Sequence, residues 1–488
     1  MVDKYHDLNK SIFEKLNIKF DIYSRTSSEN HKQFAQNFFL KLFQTPDILK
    51  EKISNQFYSK EYNMFLADRF ITGTCPYCLY DKAHADHCEN CDHDLEPWEI
   101  NNPKSNWDED DKSISLELTR NLAFNLPLYT EKLKAWIDTK SHWKKQVLSY
   151  CKESFEKGLY LRDITRDLKW GIPVPSSLWK DKVLYVWFEA PIAYISFTKE
   201  LLPETWEEYW KDPNTKLIHF IGKDNISFHS IFFPAMLIAH GEYVLPTDIP
   251  ANEFLNETNK KLGVDLKFSK SRGTGVKNFD IILKEINVDS IRYYLTSILP
   301  ENKDSVFDAQ KLVEKHNTDL IGKLGNLINR VVSYYYNNQE KFPNLWKSKL
   351  NNVILNYEVD FRLKVKAIEN YLENYQFKNA LNETMRCVDL ANEFFQDAEP
   401  WDSIKTHPEL CISDIEFCLN LCYWLAILLY PFIPSSSEKI IDLLGFESDK
   451  LNWNNLFKMD INLSKIKKPE KLFPYKLELS GENLFIKK

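Results

Sequence analysis

Glycine is scarce in this chain, at 12 of 488 residues, where an average protein has about 7%. Lysine and asparagine are abundant instead, which reads as a compositional bias of the source and carries no functional signal. No glycine-rich phosphate loop occurs, so neither a P-loop nor a dinucleotide fingerprint is available for nucleotide binding. Long apolar runs are missing too. The longest, Cys422 to Ile433, is too short to span a bilayer and is interrupted by Pro431, so a buried helix is expected there. No basic-then-apolar leader opens the sequence, since Met1-Val2-Asp3-Lys4-Tyr5-His6-Asp7 already mixes charges of both signs. A cytoplasmic protein with no membrane partner is the expectation. Excess positive charge is lacking as well. A formal net charge of −7 excludes a generalist nucleic-acid coat, but it leaves room for local basic patches. Lys260 to Lys277 is one, with Lys260, Lys261, Lys267, Lys270, Arg272 and Lys277 against Asp265 alone, and Lys465 to Lys476 is another. The ordinary meaning of such runs is a solvated face.

What is present suits a large globular protein. Hydrophobic residues make up 43% and charged residues 27%, and the length allows about three domains. Residues 1 to 65 read as mostly helical: Ser11 to Leu16 is amphipathic, and Phe34 to Phe43 repeats apolar residues at helical spacing. After a cysteine-rich insert, helical segments alternate with short apolar strands, of which Val183–Phe188 and Leu217–Ile221 are the best candidates. Such alternation predicts a parallel sheet with helices on its faces. Beyond Asp308 the pattern turns wholly helical. Leu320, Leu324, Leu327 and Val331 recur at three-to-four spacing, as do Phe361, Val365, Ile368 and Leu372, and further runs cover Phe377–Phe395 and Ile415–Leu429. A helical bundle of about 150 residues is expected.

Four of the nine cysteines fall within 17 residues, as Cys75-Pro-Tyr-Cys78 and Cys88-Glu-Asn-Cys91. Two tight CxxC turns supply the four thiolates of a tetrahedral zinc site, with zinc–sulfur bonds of about 2.3 Å. A disulfide framework is the poorer explanation without a secretory leader. His84, His87 and His93 lie nearby and are expected to be bystanders. A closed four-thiolate site is structural, so this zinc is not expected to perform catalysis.

Lys267-Phe-Ser-Lys-Ser-Arg-Gly273 places two lysines among serines and a glycine. A mobile cationic loop of this kind can close over a polyphosphate and stabilise the charge on departing pyrophosphate. The loop resembles the KMSKS signature of class I aminoacyl-tRNA synthetases, with Phe268 in place of methionine. The wider chain is similar to methionyl-tRNA synthetases, collinearly from residue 1 to about 475. The segments that carry the resemblance are Ala67-Asp68-Arg69-Phe70, Arg162-Asp163-Ile164, Trp170 to Pro175, Tyr185 to Ser196, Phe220 to Asn225 with Phe228-His229, and Ala251 to Leu255.

The resemblance implies a partial Rossmann-like parallel sheet with a zinc-knuckle insertion, followed by a helical anticodon-binding domain. It divides the chain into a remnant of the catalytic domain (1–65), the knuckle (66–105), the second half of the catalytic domain (106–249), a KMSKS-loop and stem-contact region (250–308) and the helical domain (309–488). By position it implies a methionine pocket of Trp187, Ala190, Pro191, Tyr194 and His229, in keeping with a polarisable thioether packed on aromatic edges. It implies ATP contacts from Lys223, Asp224, Lys267, Ser269, Lys270 and Ser271, with Mg2+ accompanying the ATP and the two loop lysines catalytic. Asn326 and Arg330, four apart on one helix face, and Trp401 would read an anticodon loop, by base-edge contacts and stacking. One departure is Ala193, where the family usually has glycine; an added methyl there could narrow the pocket.

Class I synthetases open with a strand and a HIGH-type tetrapeptide. Here the single H-x-x-H, His84 to His87, lies inside the cysteine insert. By resemblance residue 1 falls after roughly the first fifth of the enzyme, so a half-built site is expected, because ligands of such sheets bind where the halves meet. The expected function is methionine–tRNA ligation by one part of a split or truncated enzyme, with methionine, ATP and tRNA-Met as partners and the HIGH half either on a separate polypeptide or encoded upstream of a gene start placed too far downstream. Nothing suggests a homodimer. The competing reading is an inactive synthetase-like tRNA-binding protein. A weaker third, an enzyme acylating something other than tRNA, is opposed by the helical bundle.

Overall fold

In the computed structural model, residues 67–69, 86–87, 89, 92, 94, 109, 260–263, 268–285, 343–351, 459–462, 481–483 and 488 lie outside the described residues. For 258–259, 264–267, 463, 480 and 484–487 the backbone alone is described. The chain forms two compact units, one of residues 20–251 and one of 1–19 with 252–488.

The 20–251 unit starts from the helix Glu29–Gln44. Ser28 caps it by accepting the His31 amide, and Ala35, Phe38, Phe39 and Leu42 form its buried stripe at the spacing of one helix face. The chain then extends. Leu49–Ser59 pairs antiparallel with Ile114–Phe124 over an unbroken register from Leu49↔Phe124 to Ser59↔Ile114. Residues 49–59 therefore depart from the helical expectation for 1–65: Leu49, Ile53 and Phe57 fall at even spacings on one face of the ribbon. The cysteine insert leaves and returns at the far end of this ribbon. Its small sheet pairs Ile71–Thr74 with Ala83–His84 and Asn101–Ser105, over a separate core of Phe57, Leu66, Ile71, Cys75 and Ile100.

The expected strand Val183–Phe188 is extended only at Val183–Leu184, which pairs with Thr165–Arg166. From Val186 the chain coils into the turn Val186–Glu189, a 3-10 turn with Pro191 near its start, and the helix Ala193–Leu201. Proline at the start of a helical turn gives up an amide that has no partner there, and tertiary bonds from Glu189 override the strand preference of the aromatic run. Leu217–Ile221 runs parallel to residues 247–250, through a bridge at Ile218↔Asp248 and the bond from His219 N to Asp248 O at 3.0 Å.

The other unit holds the helical bundle. Its helices are Asn326–Asn338, Asn352–Glu373, Phe377–Asp397, Pro408–Leu429 and Pro434–Leu443. Pro408–Leu429 is long and apolar enough to cross a membrane by length and composition, yet 83% of its apolar window is buried in the protein. Trp424 on it is 1% exposed, packed between Phe361 and Phe457. A short parallel pair, Leu255–Asn259 with Ser305–Phe307, sits beside the antiparallel partner Val264–Lys267.

The first helix, Val2–Lys15, buries no residue fully. It is held at its end by Arg292, on the helix Val288–Ser297. The Arg292 guanidinium donates to Leu16 O (3.1 Å), Pro431 O (2.9 Å) and Phe432 O (3.0 Å), while Asp289 on the same helix accepts the Ser436 amide. One helix thus carries a cation for chain ends and an anion for a helix start. Arg292→Met is expected to cost about 2–4 kcal/mol, since several charge-assisted bonds to backbone carbonyls are lost together. The measurement is the urea midpoint of the helical unit, with faster hydrogen exchange at the Ser436 amide.

Candidate functional site

Three groups of side chains carry chemistry, two of them in the 20–251 unit. The first surrounds Tyr194 and His229. His229 lies in a widened, π-helical stretch, Phe228–Phe232, of the kind that interrupts helices at functional positions. Its Nδ1 is 3.0 Å from Asn225 O, an acceptor only, so Nδ1 carries the proton. In the neutral ring Nε2 is then the acceptor, and the Tyr194 hydroxyl donates to it at 2.9 Å. Burial pushes the His229 pKa down, which keeps the ring neutral. Trp187 stacks on Phe228 with centroids 4.3 Å apart. Ala190 and Pro191 lie in the turn between Trp187 and Tyr194. The structure thus brings together Trp187, Ala190, Pro191, Tyr194 and His229 on two adjoining helical segments. Ala193, the departure from glycine, has φ −59° and ψ −31°, so its methyl strains no backbone.

Sequence reasoning missed two members of this group. Phe228 forms the aromatic floor under Trp187. His219 packs against both Tyr194 (4.9 Å) and His229 (5.1 Å) and is 4% exposed. Its Nε2 has no hydrogen-bond partner among the described residues. Burial, then the neighbouring His229, pushes its pKa down to about 3. The only sequence signal was a histidine in an apolar strand, which normally means core packing.

Lys223 and Asp224 follow the strand end at Gly222. A Cβ at Gly222 would lie 2.7 Å from Asp224 Oδ1, so a side chain there would push that carboxylate to another rotamer. Lys267 ends the strand Val264–Lys267, opposite Asn256; its side chain, with Ser269, Lys270 and Ser271, lies outside the described residues. So do Ala67, Asp68, Arg69 and His87. A groove of about 610 Å³ between the helices Thr130–Asp138 and Lys145–Lys157 shares no residue with the Tyr194–His229 group.

The second group is the cysteine knuckle. The four sulfurs of Cys75, Cys78, Cys88 and Cys91 lie within 4.8 Å of one another, with Cys75–Cys91 at 3.8 Å and Cys78–Cys88 at 3.6 Å. A tetrahedron with zinc–sulfur bonds of about 2.3 Å has edges of about 3.8 Å, so this donor set fits one metal ion. The thiols alone resist joint ionisation. Burial raises Cys88 and pushes Cys91 up to about 12, whereas the Asn90 side chain holds Cys78 down to about 6. A cation at the centre would ionise all four. His84 and His93 are not part of the sulfur cluster, and His93 stacks on Tyr77 instead.

The third group lies in the helical unit. The Arg330 guanidinium sits 4.8 Å over the Phe395 ring and donates to Gln396 Oε1 at 3.0 Å. Trp401, 38% exposed, faces the same ring at 6.3 Å. Phe395 therefore gathers Arg330 and Trp401 into one aromatic–cationic surface, and Asn326 stands exposed at the head of the same helix as Arg330.

An α/β unit with a four-cysteine knuckle and a helical bundle is the architecture of a class I tRNA synthetase. The comparisons agree. A family profile described as tRNA synthetases class I (M) matches residues 1–332, and one described as the anticodon binding domain of methionyl tRNA ligase matches residues 351–476. The methionine–tRNA ligase of Bacteroides fragilis is 39% identical over 480 residues, covering 97% of this chain and 68% of that protein. That of Thermoplasma acidophilum is 38% identical, covering 91% and 80%. The chain thus spans about two thirds of the Bacteroides relative. The solved Mycobacterium tuberculosis methionyl-tRNA synthetase in complex with methionyl-adenylate has the same fold, with a TM-score of 0.74 at 23% identity over 96% of this chain and 85% of that one. The chain belongs to the methionyl-tRNA synthetases, the methionine–tRNA ligases of class I.

The buried neutral histidine generates a pH prediction. An unfolded histidine takes up a proton near pH 6.5, whereas folded His219 does so only near about 3. Below about pH 6.5 the unfolded state binds the extra proton, so stability is complete above that pH and is lost as pH falls toward about 3. His219→Leu should reduce the slope of unfolding free energy against pH by about one proton over this window, read from urea melts at successive pH values.

Proposed function

We propose that Trp187, Ala190, Pro191, Tyr194 and His229 form the wall of a methionine pocket. The observation that carries this reading is the Tyr194–His229 bond. It leaves one neutral polar point, of fixed tautomer, among aromatic faces, and a thioether amino acid suits such a wall. A charged histidine there would favour an acidic side chain instead. Lys223 and Asp224, with Lys267, Ser269, Lys270 and Ser271 of the signature loop, would meet ATP and its Mg2+. The methionine carboxylate attacks the α-phosphate, pyrophosphate departs, and Lys267 and Lys270 balance the charge it carries away. Asn326, Arg330 and Trp401 would read the anticodon of a methionine tRNA, either elongator or initiator, with the indole stacking on an unpaired base. The knuckle would hold one structural zinc ion. We place the reaction in the cytoplasm and the chain as a monomer with respect to itself.

We infer further that a HIGH-bearing segment outside these 488 residues completes the ATP site, whether in the same polypeptide or a second one. Its support is the sequence itself, in which the single H-x-x-H lies within the thiolate insert. Methionine-dependent ATP–pyrophosphate exchange tests this. The 488 residues should be inactive alone and active once the HIGH-bearing segment is supplied. Robust exchange by the 488 residues alone would overturn the inference. Retained tRNA binding with no exchange under either condition would favour an inactive tRNA-binding protein.

In the active assembly, Lys270→Ala is expected to slow adenylate formation by about 10²-fold with tRNA affinity unchanged. Trp401→Ala should do the reverse, weakening tRNA binding by about 1–3 kcal/mol with exchange intact. For the knuckle, elemental analysis should find one zinc per chain, and Cys88→Ser should lose it.

A further inference from the structure

We propose that His31, Glu189 and Ser196 form a buried clamp that positions the amino-acid pocket, with His31 as the positioning residue. The proposal rests on the reading of Ala190, Pro191 and Tyr194 as pocket wall. His31 sits in the first turn of the helix Glu29–Gln44 and is 0% exposed. Its Nε2 is 2.8 Å from Glu189 Oε2 and its Nδ1 is 2.8 Å from Ser196 Oγ. Glu189 immediately precedes Ala190 and Pro191, and Ser196 follows Tyr194 by two residues. One imidazole therefore grips both ends of the segment that carries three pocket residues.

The grip is firm for physical reasons. A buried carboxyl group is costly without a partner, and the Glu189 side chain is only 10% exposed with His31 as its hydrogen-bond partner. Ser196 Oγ in turn lies 3.3 Å from Ala193 O, the carbonyl one helical turn back. A second tie runs beside the first, as Asn30 Nδ2 donates to Ser196 O at 3.2 Å. The clamp is referenced to a fixed body. Ser28 caps the His31 amide, and Phe38, Phe39 and Leu42 lock the same helix into the core. Without the imidazole, the helix Ala193–Leu201 keeps only the Asn30 tie to this body, and the aim of the Tyr194 hydroxyl at His229 Nε2 loosens.

The test uses the active assembly of this chain with its HIGH-bearing segment and reads KM for methionine, KM for ATP, kcat and Tm. His31→Phe should raise the methionine KM about tenfold or more, the scale set by misplacing a binding group by a fraction of an ångström. The ATP KM and the kcat at saturating methionine should stay within about twofold, because uniform binding of one substrate is what is lost. Glu189→Gln keeps an acceptor for the imidazole and should recover most of the methionine affinity. The double variant His31→Phe/Glu189→Leu removes the stranded carboxylate and should restore Tm while leaving the methionine KM raised. If KM recovers together with Tm, the clamp is mere packing and the proposal fails. Tyr194→Phe and His229→Ala serve as controls. Should these raise the methionine KM while His31→Phe does not, the clamp alone is refuted. Should they leave it unmoved, the pocket reading falls and the clamp falls with it.

Discussion

A carboxylate cannot lie among aromatic rings unless something answers its charge and its lone pairs. In this protein that constraint is met at Glu189, and much of the α/β unit follows from how it is met. The partner, His31, comes from a helix more than 150 residues earlier. Pairing the two fixes where the helix Glu29–Gln44 must lie against the turn Val186–Glu189, and the phenylalanines of that helix then have one way to pack. The aromatic run from Tyr185 to Phe188 would otherwise extend as a strand. It coils because Glu189 must reach inward and because Pro191 suits the start of a turn. Local propensity loses here to a single polar requirement of the core.

A second principle is shared by the candidate pocket and the Arg330–Trp401 surface, though the two lie in different units. Each sets a polar or cationic group against an aromatic ring that also carries a second ring. Phe228 lies under Trp187 and has the Arg162 guanidinium 5.9 Å over its ring. Phe395 lies under Arg330 and faces Trp401. In both places a π-helical stretch adjoins the site: Phe228–Phe232 contains His229, and His316–Gly325 leads directly into Asn326. Widened turns redirect side chains that a regular helix would point elsewhere.

The sequence exposed some of this and hid the rest, for identifiable reasons. Cysteine spacing located the knuckle because two short CxxC turns have few other uses. Helical periodicity located the bundle, and the break at Pro431 correctly marked the apolar run as a buried helix end. The family was legible from ordered segments such as Tyr185 to Ser196. The strand Leu49–Ser59 was not, because its alternation is diluted by lysines and its pairing partner lies some 60 residues away. His31 and His219 were invisible as members of a site. A lone histidine carries no pattern, and its meaning arises only when distant elements bring Glu189, Ser196, Tyr194 and His229 around it. The parallel pairing expected from alternation of helices and strands is present but short among the described residues, since much of each apolar segment is spent in turns.

The ribbon between Leu49–Ser59 and Ile114–Phe124 has a consequence for how the protein tolerates change. Residues 60–113 depart and return through directly paired neighbours, Ser59 and Ile114, and they fold over a separate apolar nucleus to which the ribbon contributes Phe57 and Ile114. Whatever is spliced between those two positions leaves the register below it untouched. The thiolate knuckle can thus be lengthened, shortened or exchanged as a cassette, while the histidine-bearing elements behind the ribbon keep the same spacing.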